Sequence, residues 1–294
     1  MTATPKVALI TGGASGMGLA VAEALSAHPD WEIHILDRNT AAGQKASTAL
    51  AHTTFHYADV TNYQSLGAAF QKSFDTHKKL DLVFANAGVI ERSNFYDPDS
   101  RSSADNNTTP PPEPDLLSID VDLKGVILTT YLAQHYFRAS PGSGAGASLV
   151  MTASCGGLYP SYYSPLYSSA KFGVVGFMRS VAQHFKARGV RVNAICPGIV
   201  RTGLVDPNGW SAFPQHRFIE VDAVAKVVLQ LAGPVGLTDA SGTHLPIDRL
   251  FGQAVEISDS GVYFREQHEF CDEGMREVMA ATVLENQVGA ILNQ

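Results

Sequence analysis

The chain alternates short apolar runs with stretches of helical periodicity. Because most of these runs are apolar throughout, we expect strands buried on both faces of a parallel sheet, with crossover helices covering them. The pattern predicts a doubly wound, Rossmann-type α/β fold with a parallel sheet of about seven strands flanked by helices. The strand-like runs are KVALIT (6–11), WEIHILD (31–37), TTFHYADV (53–60), LDLVFANAG (80–88), ASLVMTAS (147–154), VRVNAICPG (190–198) and QAVEIS (253–258).

One segment interrupts this alternation. Residues 94–115, NFYDPDSRSSADNNTTPPPEPD, are too polar and proline-rich to pack into a core. Strands and helices resume beyond them, so we interpret the segment as a flexible loop insertion, expected to be mobile and to lie on the substrate side of the sheet. The prediction is a single domain over residues 1–294, with residues 259–294 as a C-terminal extension that ends in a helical tail.

Composition narrows the possible partners. With 294 residues, 45% of them hydrophobic, the chain can bury a full core, and its net charge of -7 argues against binding to nucleic acid or an anionic membrane. No apolar run approaches the roughly 18 residues of a membrane span, and the strand pattern that starts at Lys6 leaves no room for a signal peptide. Three widely spaced cysteines without a metal-ligand pattern predict reduced thiols, no metal site and a cytoplasmic location.

A glycine-rich turn is the first chemical signal. TGGASGMG (11–18) lies between the first strand and the first helix, where backbone N–H groups can meet a pyrophosphate. Asp37 ends the second strand, where a carboxylate can bind the ribose hydroxyls of a dinucleotide and repel a 2′-phosphate. These residues predict NAD as the cofactor, although Arg38 could instead accept the 2′-phosphate of NADP.

A tyrosine and a lysine form the second signal. Tyr167 and Lys171, in YSSAK, stand one helical turn apart and project from one face of the helix. The lysine charge would favour the phenolate, which makes the tyrosine a candidate general acid or base.

Taken together, these motifs resemble those of the short-chain dehydrogenase/reductase family from Lys6 to about Ile257. Further matches are Asp-Val at 59–60, Asn-Ala-Gly at 86–88, a serine thirteen residues before Tyr167, and Pro-Gly at 197–198 followed by a threonine. The insertion and Asp37 look like the hydroxyprostaglandin dehydrogenase-like branch. The resemblance implies these cofactor-binding residues: Gly12, Ser15, Gly16, Met17, Gly18, Asp37, Arg38, Asp59, Val60, Asn86, Ala87, Gly88, Tyr167, Lys171, Pro197, Gly198, Val200 and Thr202.

The resemblance also implies a catalytic set. Ser154 would polarise a substrate oxygen, Tyr167 would transfer the proton, and Lys171 would lower the tyrosine pKa and bind the nicotinamide ribose. In this chain Asp122 stands where the family usually has an asparagine that helps hold a proton-relay water beside the lysine. Family members are commonly dimers or tetramers, so a homodimer or homotetramer built on helices near residues 118–138 and 165–185 is expected.

The remaining expectations concern the substrate. The aromatic residues Tyr159, Tyr163, Trp210 and Phe213 are expected to line a broad apolar pocket, which favours a lipid-like, steroid-like or polyketide-like alcohol or ketone over a sugar. We therefore predict an NAD-dependent oxidoreductase that interconverts a secondary alcohol and a ketone on an apolar small molecule. Two alternatives are a biosynthetic ketoreductase working in the reducing direction and a redox-inactive dinucleotide-binding regulator.

Overall fold

The computed structural model describes residues 4–96, 110–204, 209–284 and 286. Its strands are β1 (Lys6–Thr11), β2 (Trp31–Asp37), β3 (Thr53–Tyr57), β4 (Leu82–Ala85), β5 (Ser148–Thr152), β6 (Arg191–Pro197), β7 (Leu237–Thr238), β8 (His244–Leu245), β9 (Ala254–Ser258) and β10 (Gly261–Arg265). Its α-helices are α1 (Gly16–Ser26), α2 (Thr40–Ala49), α3 (Tyr63–His77), α4 (Leu117–Ile119), α5 (Gly125–Ala139), α6 (Pro165–Lys186), α7 (Val221–Ala232) and α8 (Glu273–Ala281). A π-helical turn over Asp120–Lys124 joins α4 to α5.

Strand order places a crevice at the centre of the main sheet. The sheet runs β10-β9-β6-β5-β4-β1-β2-β3, and the pairs from β3 across to β9 are parallel. The chain moves outward from β1 to β3 and then crosses to β4 on the other side of β1. Ligands of open α/β sheets bind at such a switch point, beyond the carboxyl ends of the strands.

Helices cover both faces of this sheet and create two apolar cores. Successive side chains of β1 alternate between them, because neighbouring residues of a strand point to opposite faces. Val7 and Leu9 join the core that includes residues of α3, α5 and α6, whereas Ala8 and Ile10 join the core with residues of α1 and α7. This two-sided burial explains why β1 and the other central strands, β4, β5 and β6, are largely apolar.

The predicted architecture is confirmed, with one strand more in the main sheet than the pattern indicated and a separate antiparallel pair, β7 and β8. β1 and β2 have the predicted bounds. β3 ends three residues before its predicted run, and β4 lacks two residues at the start and three at the end of its run. The additional strand, β10, follows β9 after only two residues. A connection of that length allows only an antiparallel hairpin.

The two predicted extra segments are described in part. Residues 97–109 of the insertion lie outside the described residues, so its expected mobility and position stay predictions; residues 110–116 are exposed and form neither helix nor strand.

The chain divides into two compact units, Met1–Phe264 and Arg265–Gln294. The second unit therefore begins later than the predicted extension at residue 259, because β10 intervenes, and it contains α8, capped by Asp272. Across the described ranges, no helix is both long and apolar enough to cross a membrane.

Two histidines lie side by side on the neighbouring strands β2 and β3, and one of them, His34, is buried. His34 is only 3% exposed, and its Nδ1 lies 3.0 Å from Nε2 of His56. Burial, with added repulsion from His56 and His77, lowers the pKa of His34 from 6.5 to about 4. The folded protein therefore keeps this imidazole neutral at pH values where the unfolded chain protonates it.

We predict that His34 makes the protein lose stability as the pH falls from 6.5 towards about 4. Well above pH 6.5 neither state is protonated at this site, whereas below it only the unfolded state gains the proton. The proton stabilises the unfolded state, so the free energy of unfolding falls progressively. A shift from 6.5 to about 4 corresponds at full protonation to roughly 3 kcal/mol. Urea unfolding at neutral pH and at about pH 4.5 should show a smaller acid-induced loss in His34→Leu. The exposed His28→Leu is the control, and an equal loss in both variants would contradict the assignment.

Candidate active site

A cleft of about 530 Å³ runs along the carboxyl ends of the central strands. Its walls come from the turn after β1, the ends of β2, β4, β5 and β6, and the start of α6. All of these segments belong to the first compact unit. The cleft therefore occupies the place that the strand order predicts for a ligand.

The turn between β1 and α1 depends on glycine at two positions. Gly12 has a φ of +65°, and a Cβ there would lie 2.8 Å from Cα of Ala87. At Gly18 a Cβ would press against the carbonyl oxygen of Gly12 and lie 2.7 Å from Nδ2 of Asn86. Ser15, the N-cap of α1, makes no side-chain cap hydrogen bond, so the first N–H groups of α1 remain available to a pyrophosphate.

A polar network joins this turn to the ends of β4 and β5. The Thr11 hydroxyl accepts hydrogen bonds from the backbone N–H groups of Asn86 and Ala87, at 3.0 and 3.2 Å. The Asn86 amide donates to the carbonyl oxygens of Thr11 and Gly12, and its own oxygen accepts from the Thr152 hydroxyl at 3.1 Å. Three neighbouring strand ends are thereby held in one geometry.

Asp37, the residue predicted to bind the ribose, lies at the end of the cleft formed by β2. Asp37 accepts hydrogen bonds from the backbone N–H groups of Ala14, at 3.1 Å, and Asn39, at 2.9 Å. These two bonds hold the carboxylate beside the glycine turn. Arg38 does not pair with it, because its guanidinium lies 3.9 Å from the carboxylate of Asp59.

At the opposite end of the cleft, α6 and the π-helical turn contribute a buried ion pair. Nζ of Lys171 is 3.0 Å from Oδ2 of Asp122, and the two side chains are 3% and 1% exposed. Lys171 also donates to the carbonyl oxygen of Thr152 at 3.0 Å, and Oδ1 of Asp122 accepts from the backbone N–H of Val89 at 2.8 Å. Gly88 allows this approach, since a Cβ there would lie 3.3 Å from Oδ2 of Asp122.

Burial and this pair determine the protonation of the site. Burial is the largest single influence on Lys171 and favours a lower pKa. The charge of Asp122 and its hydrogen bond, together with the nearby Tyr167 and Cys196, outweigh burial, so the pKa is raised. Burial raises the pKa of Asp122, and the Lys171 ammonium only partly opposes the rise. Burial likewise raises the pKa of Tyr167; Lys171 and a hydrogen bond with Ser154 lower it, and Asp122 adds a further rise. The tyrosine therefore holds its proton at neutral pH.

Ser154, Tyr167 and Lys171 converge on one part of the cleft although they come from two elements. Ser154 follows β5 and caps a short 3-10 turn, with its hydroxyl accepting from the N–H of Gly156 at 3.1 Å. Tyr167 lies in the first turn of α6, and Nζ of Lys171 is 5.4 Å from the centre of its ring. A hydroxyl and a phenol together can hold one substrate oxygen and exchange a proton with it.

Aromatic side chains line the cleft beside this group. Tyr163 and Phe213 have ring centres 6.5 Å apart, and Trp210 and Phe213 have theirs 6.2 Å apart. Tyr159, expected in the same wall, does not line the cleft. That expectation was wrong because the Tyr159 hydroxyl donates to the largely buried Glu256, at 3.1 Å, on β9.

The cysteines do not form an activated nucleophile. Cys155 lies in the cleft wall, and burial raises the pKa of its thiol; burial raises the pKa of Cys196 to about 12. All three cysteines are unpaired. Nor does the described part of the chain group three His, Cys, Asp or Glu side chains so that they could hold a metal ion.

Of the catalytic and cofactor-binding residues predicted from sequence, all but Gly18 line the cleft. Gly18 contributes indirectly: because it has no side chain, α1 can pack closely against Gly12 and Asn86. Sequence reasoning missed Thr11, Thr152, Val89 and Glu91. The two threonines end strands that lead into the cleft, which was a usable signal, whereas nothing local marked Val89 or Glu91.

The strand order, the glycine turn and the cleft define a dinucleotide-binding α/β enzyme fold. Residues 6–209 match the family model of the short chain dehydrogenases. The chain belongs to the short-chain dehydrogenase/reductase family, whose members bind nicotinamide dinucleotides.

Similar proteins cover most of the chain. Short-chain dehydrogenase/reductase prx7 of Penicillium rubens is 67% identical over 282 residues, covering 94% of this chain and all of that protein. Human 15-hydroxyprostaglandin dehydrogenase [NAD(+)] is 34% identical, covering 89% of this chain and 94% of the relative, which fits the predicted branch. The crystal structure of levodione reductase is 27% identical, with a TM-score of 0.65, covering 78% of this chain and 90% of its own.

We predict that Gly18→Ala weakens the binding of reduced nicotinamide dinucleotides at least about tenfold, because the added methyl group displaces Gly12 and Asn86 from the turn. The measurement is a fluorescence titration of the folded protein. Gly67→Ala is the matched control, since Gly67 also lies within a helix and a Cβ there meets nothing within 4 Å. Equal binding by both variants would contradict the account of the turn.

Proposed function

We propose that the protein is an NAD-dependent oxidoreductase that interconverts a secondary alcohol and a ketone on an apolar small molecule. The observation that carries the proposal is the convergence of Ser154, Tyr167 and the buried Lys171 in the dinucleotide cleft. The redox-inactive regulator is disfavoured because a hydroxyl and a phenol that converge beside a buried ammonium can exchange a proton with a substrate oxygen, which simple dinucleotide binding does not require.

In this proposal each side chain has one task. The bound nicotinamide supplies or accepts the hydride. Ser154 holds the substrate oxygen, and Tyr167 gives it a proton during reduction or removes one from an alcohol during oxidation. Lys171 lowers the cost of the phenolate, and Asp122 keeps Lys171 charged in its buried position.

The preference for NAD rests on the far end of the cleft. The Asp37 carboxylate is held beside the glycine turn by two backbone N–H groups, where it would repel a 2′-phosphate. Arg38 is directed towards Asp59. The human relative named above is itself an NAD(+) enzyme by name, which supports the same choice.

The substrate class rests on the aromatic wall. Tyr163, Trp210 and Phe213 offer apolar contact area beside the reacting groups. An apolar alcohol or ketone fits such a wall better than a sugar, whose hydroxyl groups would lose their hydrogen bonds to water there.

A second candidate is the same chemistry run mainly as ketone reduction. The observation that favours it is the raised pKa of Tyr167, which keeps the phenol protonated and ready to act as an acid. Oxidation needs the deprotonated form and therefore gains from higher pH.

We further propose that the protein acts as a homodimer or homotetramer built on α5 and α6. Apolar side chains on both helices are exposed in the single chain: Ile127 is 37%, Tyr131 63% and Phe172 44% exposed. Ile127 and Tyr131 lie one turn apart on α5, so they form a continuous face suited to a partner subunit.

The test of the proposed function is a screen of apolar secondary alcohols and the corresponding ketones, with NAD and NADP compared by the absorbance of the reduced cofactor. We expect NAD to exceed NADP in kcat/KM by at least about tenfold, equivalent to ~1.4 kcal/mol, because of the charge at Asp37. Tyr167→Phe should lose turnover while it still binds the cofactor, since the ring remains but the transferable proton does not.

Each part of the proposal has its own contradicting result. A preference for NADP would reject the role of Asp37 and assign the 2′-phosphate to Arg38. Retained turnover in Tyr167→Phe would reject the acid/base assignment. A wild-type protein that binds NAD but is inert towards every alcohol and ketone would support the regulator.

We predict that Asp122→Asn moves the acidic limb of the kcat/KM profile for alcohol oxidation to lower pH. The Asp122 carboxylate raises the pKa of Tyr167, so its replacement by a neutral amide makes the phenolate easier to form. An amide has a single oxygen, so it replaces only one of the two acceptors, Oδ1 towards Val89 or Oδ2 towards Lys171. With the amide oxygen towards Lys171, the ammonium keeps this acceptor and the carbonyl oxygen of Thr152. Asp120→Asn is the matched control, because Asp120 lies two residues away and pairs with the exposed Lys124. An unchanged limb in Asp122→Asn would remove Asp122 from the proton chemistry.

A further inference from the structure

The first turn of α6 lacks a cap from its own N-terminal residue. A helix begins with N–H groups that have no partner inside the helix, and the side chain before the helix usually accepts one of them. Ser164 occupies that position but makes no cap hydrogen bond; its hydroxyl lies 2.8 Å from that of Ser161. Pro165 follows it and has no N–H to donate.

The missing cap is supplied by a carboxylate from a distant loop. Oε2 of Glu91 accepts hydrogen bonds from the backbone N–H groups of Leu166, at 2.9 Å, and Tyr167, at 3.1 Å. These are the first two donors of the helix after Pro165. One of them belongs to the proposed acid/base residue, so Glu91 holds the backbone from which that phenol extends.

The loop that carries Glu91 also holds the partner of Lys171. Two residues earlier, the N–H of Val89 donates to Oδ1 of Asp122, which pairs with Lys171. A single stretch after β4 therefore contacts the tyrosine backbone at one point and the carboxylate beside the lysine at another. Val89 and its neighbour Ile90 also line the cleft.

We propose that Glu91 is a positioning residue for Tyr167, an inference that rests on the proposed oxidoreductase function. By accepting a hydrogen bond from the N–H of Tyr167, Glu91 fixes the backbone of that residue and therefore the position of its phenol relative to Ser154 and Lys171. It does not contact the reacting atoms; it acts through the first turn of α6. Proton and hydride transfer are sensitive to such placement, and a misplacement of about 1 Å can cost roughly a hundredfold in rate.

The kinetic test compares three variants of the full chain with the best substrate from the alcohol screen. Glu91→Ala removes the acceptor and should lower kcat by about tenfold or more, while KM for NAD stays within about twofold. Glu91→Gln keeps an oxygen acceptor and should retain kcat within about threefold of wild type. Asn62→Ala removes the side-chain cap of α3 and should leave kcat unchanged, because Asn62 does not line the cleft.

A second measurement does not depend on turnover. Hydrogen exchange of the intact protein should show faster exchange at the amides of Leu166 and Tyr167 in Glu91→Ala, and at Ser65 in Asn62→Ala. This readout separates the two proposals, since it can succeed even when the protein turns over no alcohol.

Several outcomes would overturn the inference. Wild-type kcat in Glu91→Ala, combined with faster exchange at Tyr167, would show that Glu91 caps the helix without positioning the phenol. Unchanged exchange at both amides would show that the cap does not hold the turn. A loss of kcat in Glu91→Gln as large as in Glu91→Ala would also reject the positioning role, because the acceptor alone should suffice.

Discussion

The buried ammonium of Lys171 is the constraint on which the site depends. A charge that is almost fully removed from water is strongly destabilising unless it is paired and hydrogen-bonded. Asp122 supplies the opposite charge at 3.0 Å, and the Thr152 carbonyl supplies a further acceptor. Removing one member of such a pair typically costs about 3–5 kcal/mol, so the positions of β5, α6 and the π-helical turn are coupled through this one contact.

The segment after β4 connects these elements. Asn86 binds the glycine turn and Thr152, Val89 binds Asp122, and Glu91 binds the start of α6. Each of these bonds satisfies a polar group that the sheet edge or a helix end leaves open. The glycine turn and the group around Tyr167 and Lys171 are therefore both held by a stretch of only six residues, 86–91.

The carboxylate of Asp122 controls the electrostatics around the buried lysine. The aspartate raises the pKa of Lys171, and it also opposes formation of the Tyr167 phenolate. Both effects hold protons in the site. The phenol of Tyr167 therefore holds its proton at neutral pH.

The sequence by itself determined the architecture and most of the cleft. Strand bounds such as Lys6–Thr11 could be predicted because an all-apolar run records burial on both faces, and the glycine turn and the Tyr167–Lys171 spacing are local patterns. Only the tertiary structure decided which distant groups meet: Glu91 with the N–H of Tyr167, Asp122 with Lys171, and Tyr159 with Glu256 instead of the cleft. These partners are between 49 and 97 residues apart in the sequence, and periodicity carries no information about contacts across such separations. They are selected by the packing of the sheet and by the requirement that buried polar groups be paired.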